Sequence, residues 1–280
     1  MSENAEQIWQ WNGVLGAKWV AEQESLDAQL APMSQLLAEA AGAQPGDHVL
    51  DVGCGCGATT LALAQAVGVT GQVVGVDVST PMLARAAQRL AGLPRPPELV
   101  QADAQTAALG EARFDRIVSR FGVMFFSDPA QAFANLARAL RPGGRLAFVC
   151  WRAASENPWA HVPLSVALRH VPQPAPGDPH APGPFAFADA ARTGAMLEAA
   201  GFRAVRAEPS DGDMSLGGAR TLDEAAAFAT RNGPAGRLLR DAAPEVIARI
   251  EAELRVALAP CLTPTGVHMP YAVWVVTATR

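Results

Sequence analysis

The sequence predicts an α/β fold built on a mostly parallel sheet with helices on both faces. Three observations carry that expectation. Short, near-continuous apolar runs alternate with stretches of helical periodicity between residues 49 and 151, as in strands buried on both faces by crossover helices. A glycine-rich turn, Gly53-Cys54-Gly55-Cys56-Gly57, follows the first run. Asp51, Asp77 and Asp103 stand at the ends of three successive runs, and so mark the carboxyl edge, where open α/β sheets bind ligands.

The elements follow in order. Trp9, Trp11 and Trp19, half of the six tryptophans, lie in a mixed helical or irregular opening segment. Pro32 suits a first helical position. Met33, Leu36, Leu37, Ala40 and Ala41 then form a helical stripe closed by Gly42. Val49–Val52 is the first strand and Ala58–Ala66 the next helix. Gln72–Val76 is the second strand, after which Thr80 can cap a helix and Pro81 open it. Glu98–Gln101 is a weak third strand and Phe114–Ser119 a fourth. Asp128-Pro129-Ala130-Gln131 reads as a capping box, with Phe133, Leu136, Ala137 and Leu140 following at helical spacing. Arg141-Pro142-Gly143-Gly144 is a turn before a fifth strand, Leu146–Trp151. From Arg152 to Phe185 proline and glycine are dense, notably over 171–177, which reads as a loop or lid. Periodicity resumes over Asp189–Ala200, Gly201 stops it, and Phe202–Ala207 is a sixth strand. A mainly helical insertion over 211–265 holds a capping box at Thr221–Glu224. It also holds a helix from Pro244 with Ile247, Ile250, Leu254 and Leu258 on one side. Tyr271–Ala278 is a valine-rich last strand.

Composition removes several classes of function. The chain has 280 residues, half of them hydrophobic, enough to bury a core as one elaborated domain or two small ones. Formal charge is -5 and no lysine/arginine cluster occurs, which argues against nucleic-acid binding through phosphates. Cys54 and Cys56 are spaced too closely for a structural zinc site and lack a second pair. Reduced, cytosolic thiols are the expectation, with no metal. The polar, acidic start, Ser2–Gln7, has no signal-peptide pattern. No run of 18 apolar residues is present, so no membrane span is expected.

The glycine turn frames a nucleotide-bearing ligand. Gly53 permits a tight turn, Gly55 removes a side chain where a ligand approaches, and Gly57 opens the helix. Gly53, Gly55 and Ala58 also satisfy the dinucleotide pattern, and Asp77 lies 24 residues beyond Gly53. A nicotinamide-dependent oxidoreductase therefore stays open on these features. Asp51 favours a different ligand: an anion sits poorly beside a pyrophosphate but suits an ammonium or sulfonium group. Asp77 can take two ribose hydroxyls, and Asp103 can accept from an adenine amino group.

On these residues the sequence resembles the class I S-adenosylmethionine-dependent methyltransferases, in the small-molecule branch near the ubiquinone and menaquinone enzymes. Val49-Leu50-Asp51-Val52-Gly53-Cys54-Gly55-Cys56-Gly57 matches the family's first signature. Val73–Ser79 with Met82-Leu83, Gln101–Ala104, Phe114-Asp115 and Leu140–Gly144 continue the series. The likeness covers about residues 47–151. It implies a Rossmann-like, seven-stranded, mostly parallel sheet with an antiparallel last strand and a helical cap. It implies S-adenosyl-L-methionine as cofactor and S-adenosyl-L-homocysteine as product. Asp51, Gly53, Cys54 and Gly55 would hold the methionine portion. Asp77 with Val78 would bind ribose, and Met82 would lie on adenine. Asp103 and Ala104 would meet the adenine edge, and Ser119 and Arg120 would approach cofactor and acceptor. Residues 1–45 would form an N-terminal helical cap segment. Residues 46–280 would form the methyltransferase domain, with a lid at 152–186 and the insertion at 211–265.

That topology hangs the cap over the active face. Phe121, Met124, Phe125, Phe126, Trp151 and Trp159 are candidate walls for a small, aromatic or quinone-like acceptor. His161, His268 and Tyr271 are candidate bases; His48 sits at the wrong edge, and His170 and His180 fall in or beside the proline-rich loop. Ser119-Arg120-Phe121-Gly122 lacks the D/N-P-P-Y/F pattern of amino-DNA methyltransferases, which, with the weak basic content, argues against base methylation. A protein that binds the cofactor without transferring methyl groups is a further alternative. The location expected is cytoplasmic, and the chain can be a monomer or a homodimer.

Overall fold

A computed structural model describes residues 4–175 and 177–280; Met1–Glu3, and Pro176 within the lid run, lie outside the described residues. Three helices open the chain: α1 (Ala5–Asn12), α2 (Val14–Ala21) and α3 (Gln23–Ala41). The tryptophan segment is thus helical throughout. Pro32 lies inside α3 rather than at its start. Leu26, Leu30, Met33 and Leu37 run down one buried face across it, and packing of that stripe outweighs the missing N–H. Gly42 ends α3 in the left-handed conformation, as its position suggests.

The sheet then alternates with helices: β1 (His48–Val52), α4 (Ala58–Val67), β2 (Gln72–Asp77), α5 (Thr80–Leu90), β3 (Glu98–Gln101), β4 (Phe114–Arg120), α6 (Pro129–Ala139) and β5 (Leu140–Trp151). All pairings among β1–β5 are parallel. β5 begins at Leu140, so the expected turn at 141–144 is absorbed as a bulged strand start. After it come α7 (Pro158–Ala167), α8 (Ala190–Ala199), β6 (Arg203–Ser215), α9 (Leu222–Arg231), α10 (Gly233–Leu238), α11 (Pro244–Leu258), β7 (Leu262–Thr263) and β8 (Gly266–Thr279). The sheet order is β3-β2-β1-β4-β5-β8-β6, with the two-residue β7 attached to β8. β8 runs antiparallel to both β5 and β6, so the last long strand has the expected direction.

Two expectations change here. β6 and β8 stay paired from Arg203↔Thr279 to Ser215↔His268, whereas β5 leaves β8 at Trp151↔Val273. The two strands therefore overhang the sheet as a ribbon, and residues 211–215, expected as the start of a helical insertion, are strand. The 152–186 segment is not loop alone, since α7 occupies Pro158–Ala167. Asn157 fixes its start: its amide donates to the carbonyls of Arg152, Ala153 and Ala272, and its Oδ1 accepts from Ala272 N and Trp159 Nε1.

Two apolar cores result. The sheet core centres on Phe133, Phe148 and Phe187, with ring centroids 5.8–6.2 Å apart. A cap core gathers Val166, Phe228, Ile250, Leu254 and Leu258 with Val267 and Met269 of the ribbon and Leu26 of α3. The N-terminal arm clasps both. Asn12 Oδ1 accepts from Thr80 N, capping α5 in place of Thr80 itself, while Asn12 Nδ2 donates to Val78 O. Lys18 Nζ donates to the Arg231 carbonyl at the end of α9, and Arg231 pairs with Glu22.

Candidate active site

The strand order reverses between β1 and β4, which opens a crevice at their carboxyl ends. Gly53 and Gly122 meet there: a Cβ on Gly53 would stand 2.8 Å from Cα of Gly122. Only two bare backbones fit this closely, and Gly53 (φ 68°) lies in the left-handed region besides. Above them is a cavity of about 240 Å³.

Its floor carries most of the residues singled out from sequence. Gly53, Gly55, Asp77, Val78, Met82, Asp103, Ala104 and Arg120 all line it. Asp77 is oriented by backbone amides: Oδ2 accepts from Gly55 N at 2.8 Å and Oδ1 from Ser79 N at 2.9 Å. Burial raises its pKa above the usual carboxylate range. Asp103 Oδ1 accepts from Gln105 N at 2.9 Å, while its buried Oδ2 has no partner.

Asp51, Cys54 and Ser119 stand off the wall. Asp51 is fully buried beneath the turn, where Oδ2 accepts from Thr59 and Thr60 hydroxyls at 2.6 and 2.7 Å and Oδ1 is unpartnered. Burial raises its pKa; the two hydroxyls and Arg120 oppose that shift. The Cys54 side chain packs beneath the turn against Gly75. Ser119 is a brace: its hydroxyl donates to Val52 O and accepts from Gly122 N and Val123 N.

The roof is aromatic. Trp151 stacks on Phe121 at 4.4 Å and meets Trp159 at 4.7 Å, and Trp11 makes edge contacts with Trp19 and Phe125. Phe121, Met124, Phe125, Phe126, Trp151 and Trp159 all line the cavity. α3 contributes Leu26, Asp27, Gln29 and Leu30. Asp27 lies beside Arg89 (2.8 Å) and Arg120 (3.9 Å), and Arg89 reaches Cys56 O. Arg120 also donates to Ser34 Oγ at 2.6 Å, and burial lowers its pKa.

A family model fits residues 49–144. These residues match a methyltransferase domain. The chain is 39% identical over 110 residues to the ubiquinone/menaquinone biosynthesis C-methyltransferase UbiE of Teredinibacter turnerae, covering 39% of this chain and 44% of that one. It is 35% identical over 119 residues to the aklanonic acid methyltransferase DauC of Streptomyces sp. strain C5, covering 42% and 54%. The match thus spans about half the length of these curated relatives. The solved structure of YcgJ from Bacillus subtilis is similar in fold, with a TM-score of 0.58 at 19% identity over 89% of this chain and 98% of that one.

The methyltransferase domain's cofactor, S-adenosyl-L-methionine, finds suitable partners in the floor. Asp103 Oδ2 is free for an adenine amino donor. Asp77 has lone pairs left for a ribose diol. The orphaned Asp51 Oδ1 is of the kind a nearby cationic group satisfies through water, and Thr59, whose hydroxyl donates to Oδ2, lines the cavity. The candidate bases fare differently. Among the described residues lining the cavity there is no histidine or tyrosine, so His161, His268 and Tyr271 lie elsewhere. His268 Nε2 instead faces Thr265 Oγ1 at 3.2 Å on the ribbon. Asn4, Gln7, Asp27 and Gln29 were not legible as site residues; for Asp27 and Gln29 the buried stripe of α3 upstream of Pro32 was the available signal.

Proposed function

We propose that the protein transfers the methyl group of S-adenosyl-L-methionine to a small, largely apolar, ring-bearing acceptor. The observation that carries this is the joining, in one cavity, of three elements: the bare glycine turn, the oriented carboxylates Asp77 and Asp103, and a largely aromatic roof. Bound S-adenosyl-L-methionine supplies an electrophilic methyl group. The chain's part is to hold reactants at attack distance and exclude water. Gly53 and Gly55 admit the methionine end, and Asp51 acts on it from beneath. Asp77 and Val78 take ribose, Met82 lies on the adenine face, and Asp103 and Ala104 take its edge. Arg120 and Phe121 stand where cofactor and acceptor adjoin. With no histidine or tyrosine on the described wall, the acceptor brings a nucleophile that ionises readily or needs no base.

The aromatic roof supports an aromatic or quinone-like acceptor, which UbiE's name also suggests. A nicotinamide cofactor is disfavoured: Asp51 beneath the turn and the free Asp103 oxygen suit a different ligand. Residues 1–45 and the helices between β6 and β8 act in this reading as two halves of one cap over the 46–280 unit. All four cysteines are unpaired, three of them buried, which suits a reducing, cytoplasmic setting. The experiment is calorimetric titration with S-adenosyl-L-homocysteine, with NADH in parallel, followed by a screen for acceptor-dependent S-adenosyl-L-homocysteine formation. One-site binding of S-adenosyl-L-homocysteine alone is expected. Binding of NADH alone overturns the reading, and binding without turnover on any ring acceptor leaves the cofactor-binding role in its place.

A further inference from the structure

We propose that Gln29 is the polar anchor for the methyl acceptor: its carboxamide oxygen accepts from an uncharged hydroxyl or amide N–H on a flat, apolar substrate. The inference rests on the methyltransferase reading above. Gln29 is only 4% exposed, lines the cavity, and its Oε1 has no hydrogen-bond partner. An amide oxygen buried without a partner is costly, and its place on a cavity wall assigns the missing partner to a ligand.

Its position on α3 separates it from the cofactor floor. Leu26, one turn earlier on the same face, belongs to the cap core; Met33, one turn later, belongs to the sheet core. Gln29 therefore sits on the seam where cap meets sheet. Asp27 lies two residues back, about 200° around the helix, and turns to the glycine side. There it engages Gln23 and Arg89, and Arg89 holds Cys56 O. The cap side of the seam is the side of Trp159, which packs against both cores and meets Trp151, itself stacked on Phe121. Gln29 lines the same cavity as these rings, so a flat ring held on that wall can present its edge to Gln29. The carboxamide is neutral, so it offers no counter-charge to an ionised substituent that loses its water; a neutral hydrogen-bonding group is the match.

The test uses 2-naphthol and naphthalene as probes. Each is titrated into protein saturated with S-adenosyl-L-homocysteine and followed by tryptophan fluorescence. Wild type is expected to hold 2-naphthol about tenfold tighter than naphthalene, the size of one well-made buried hydrogen bond. Gln29→Leu is expected to bring the two probes within about twofold, with the affinity for S-adenosyl-L-homocysteine unchanged. Gln29→Met is the second variant and should behave alike. An undiminished preference in either variant overturns the proposal. So does a tenfold loss of S-adenosyl-L-homocysteine affinity (about 1.4 kcal/mol), which would move Gln29 to the cofactor. No preference in wild type, or loss of the thermal transition in both variants, also overturns it. Failure of wild type to bind S-adenosyl-L-homocysteine strikes the methyltransferase reading instead, so the two failures are distinct.

Discussion

Asp103→Asn is the cleanest probe of where the adenine lies. Asp103 Oδ1 already accepts from Gln105 N, and the new side chain keeps an oxygen for that bond. The change falls on Oδ2, the buried oxygen with no partner, where a nitrogen donor takes its place. The turn Asp103–Ala107, held by Thr106 N and Ala107 N to Asp103 O, is untouched. Folding stability should therefore stay close to wild type. An adenine amino group facing Oδ2 makes a charge-assisted hydrogen bond worth about 1.5–3 kcal/mol. Replacing the acceptor by a donor removes it, so the affinity for S-adenosyl-L-homocysteine should fall about 10- to 150-fold. S-inosylhomocysteine carries a carbonyl where adenine carries the amino group. It should bind the variant more tightly than it binds wild type. Calorimetry with both ligands on both proteins completes the cycle. Equal affinity of the two proteins for S-adenosyl-L-homocysteine would refute the placement, whatever the second ligand did.

Other expectations follow from the same geometry. Asp51 has a raised folded-state pKa, caused first by burial. As pH rises past the unfolded value, about 4, the unfolded chain ionises more easily and ligand-free stability falls until the raised folded value is passed. Asp51→Asn should then raise the ligand-free melting temperature at pH 7 by about 2 °C or more, with the gap narrowing toward pH 4, while weakening S-adenosyl-L-methionine. A lower melting temperature at pH 7 would contradict this. Gly55→Val places a branched side chain at φ 53°, with its Cβ 2.8 Å from Met82 Cε. We expect about 1–2 kcal/mol of strain and no calorimetric signal with S-adenosyl-L-homocysteine; retained binding would show that the turn yields. Lys18→Ala cuts the tie from α2 to the Arg231 carbonyl. Amide exchange should quicken in α9 and stay unchanged in β1–β4; uniform exchange across both would mean the tie is not local.

β1, β2 and the 146–151 part of β5 were legible because each is a short apolar run buried in the sheet, so the sequence carries the burial directly; β3, a partly exposed edge strand, gives only a weak signal. The overhanging ribbon was not. Glu208-Pro209-Ser210-Asp211-Gly212-Asp213 is a string of strand breakers, yet it pairs with β8. That run has β8 alone as its neighbour, and β8 rather than the run's own composition sets its conformation. α7 was hidden by Pro158 and Pro163, although Pro158 sits at its first turn, where proline is tolerated. Asp77, Asp103 and Met82 do line the cavity, because strand ends and helix starts fix position. Direction was the weak point. Ser119 lies at the right strand end, but its hydroxyl turns to Val52 O and the Gly122 loop. His268 and Tyr271 fall at the right end of β8, yet neither reaches the cavity wall.

Charge gives the site its preference among ligands. Asp27, Asp51, Asp77 and Asp103 gather around or beneath the cavity, against the guanidiniums of Arg89 and Arg120. The remaining polar lining is neutral, the amides of Asn4, Gln7, Gln29 and Asn232 with the Thr59 hydroxyl, and the roof is mainly aromatic. Carboxylates thus outnumber cations around a largely apolar cavity, where charges are screened less than in bulk water. Burial already raises the pKa of Asp51 and Asp77, so ionising both without a positive ligand is unfavourable. A ligand with a net positive charge relieves that strain, and a neutral one of the same shape does not. The residues are therefore expected to hold a sulfonium cofactor more firmly than its neutral thioether product, and the difference should shrink below the raised carboxylate pKa values, where the site sheds its negative charge. A site that grips the charged reactant and loosens on its neutral product is arranged for turnover, and that is a reason for keeping a buried carboxylate beneath a glycine turn.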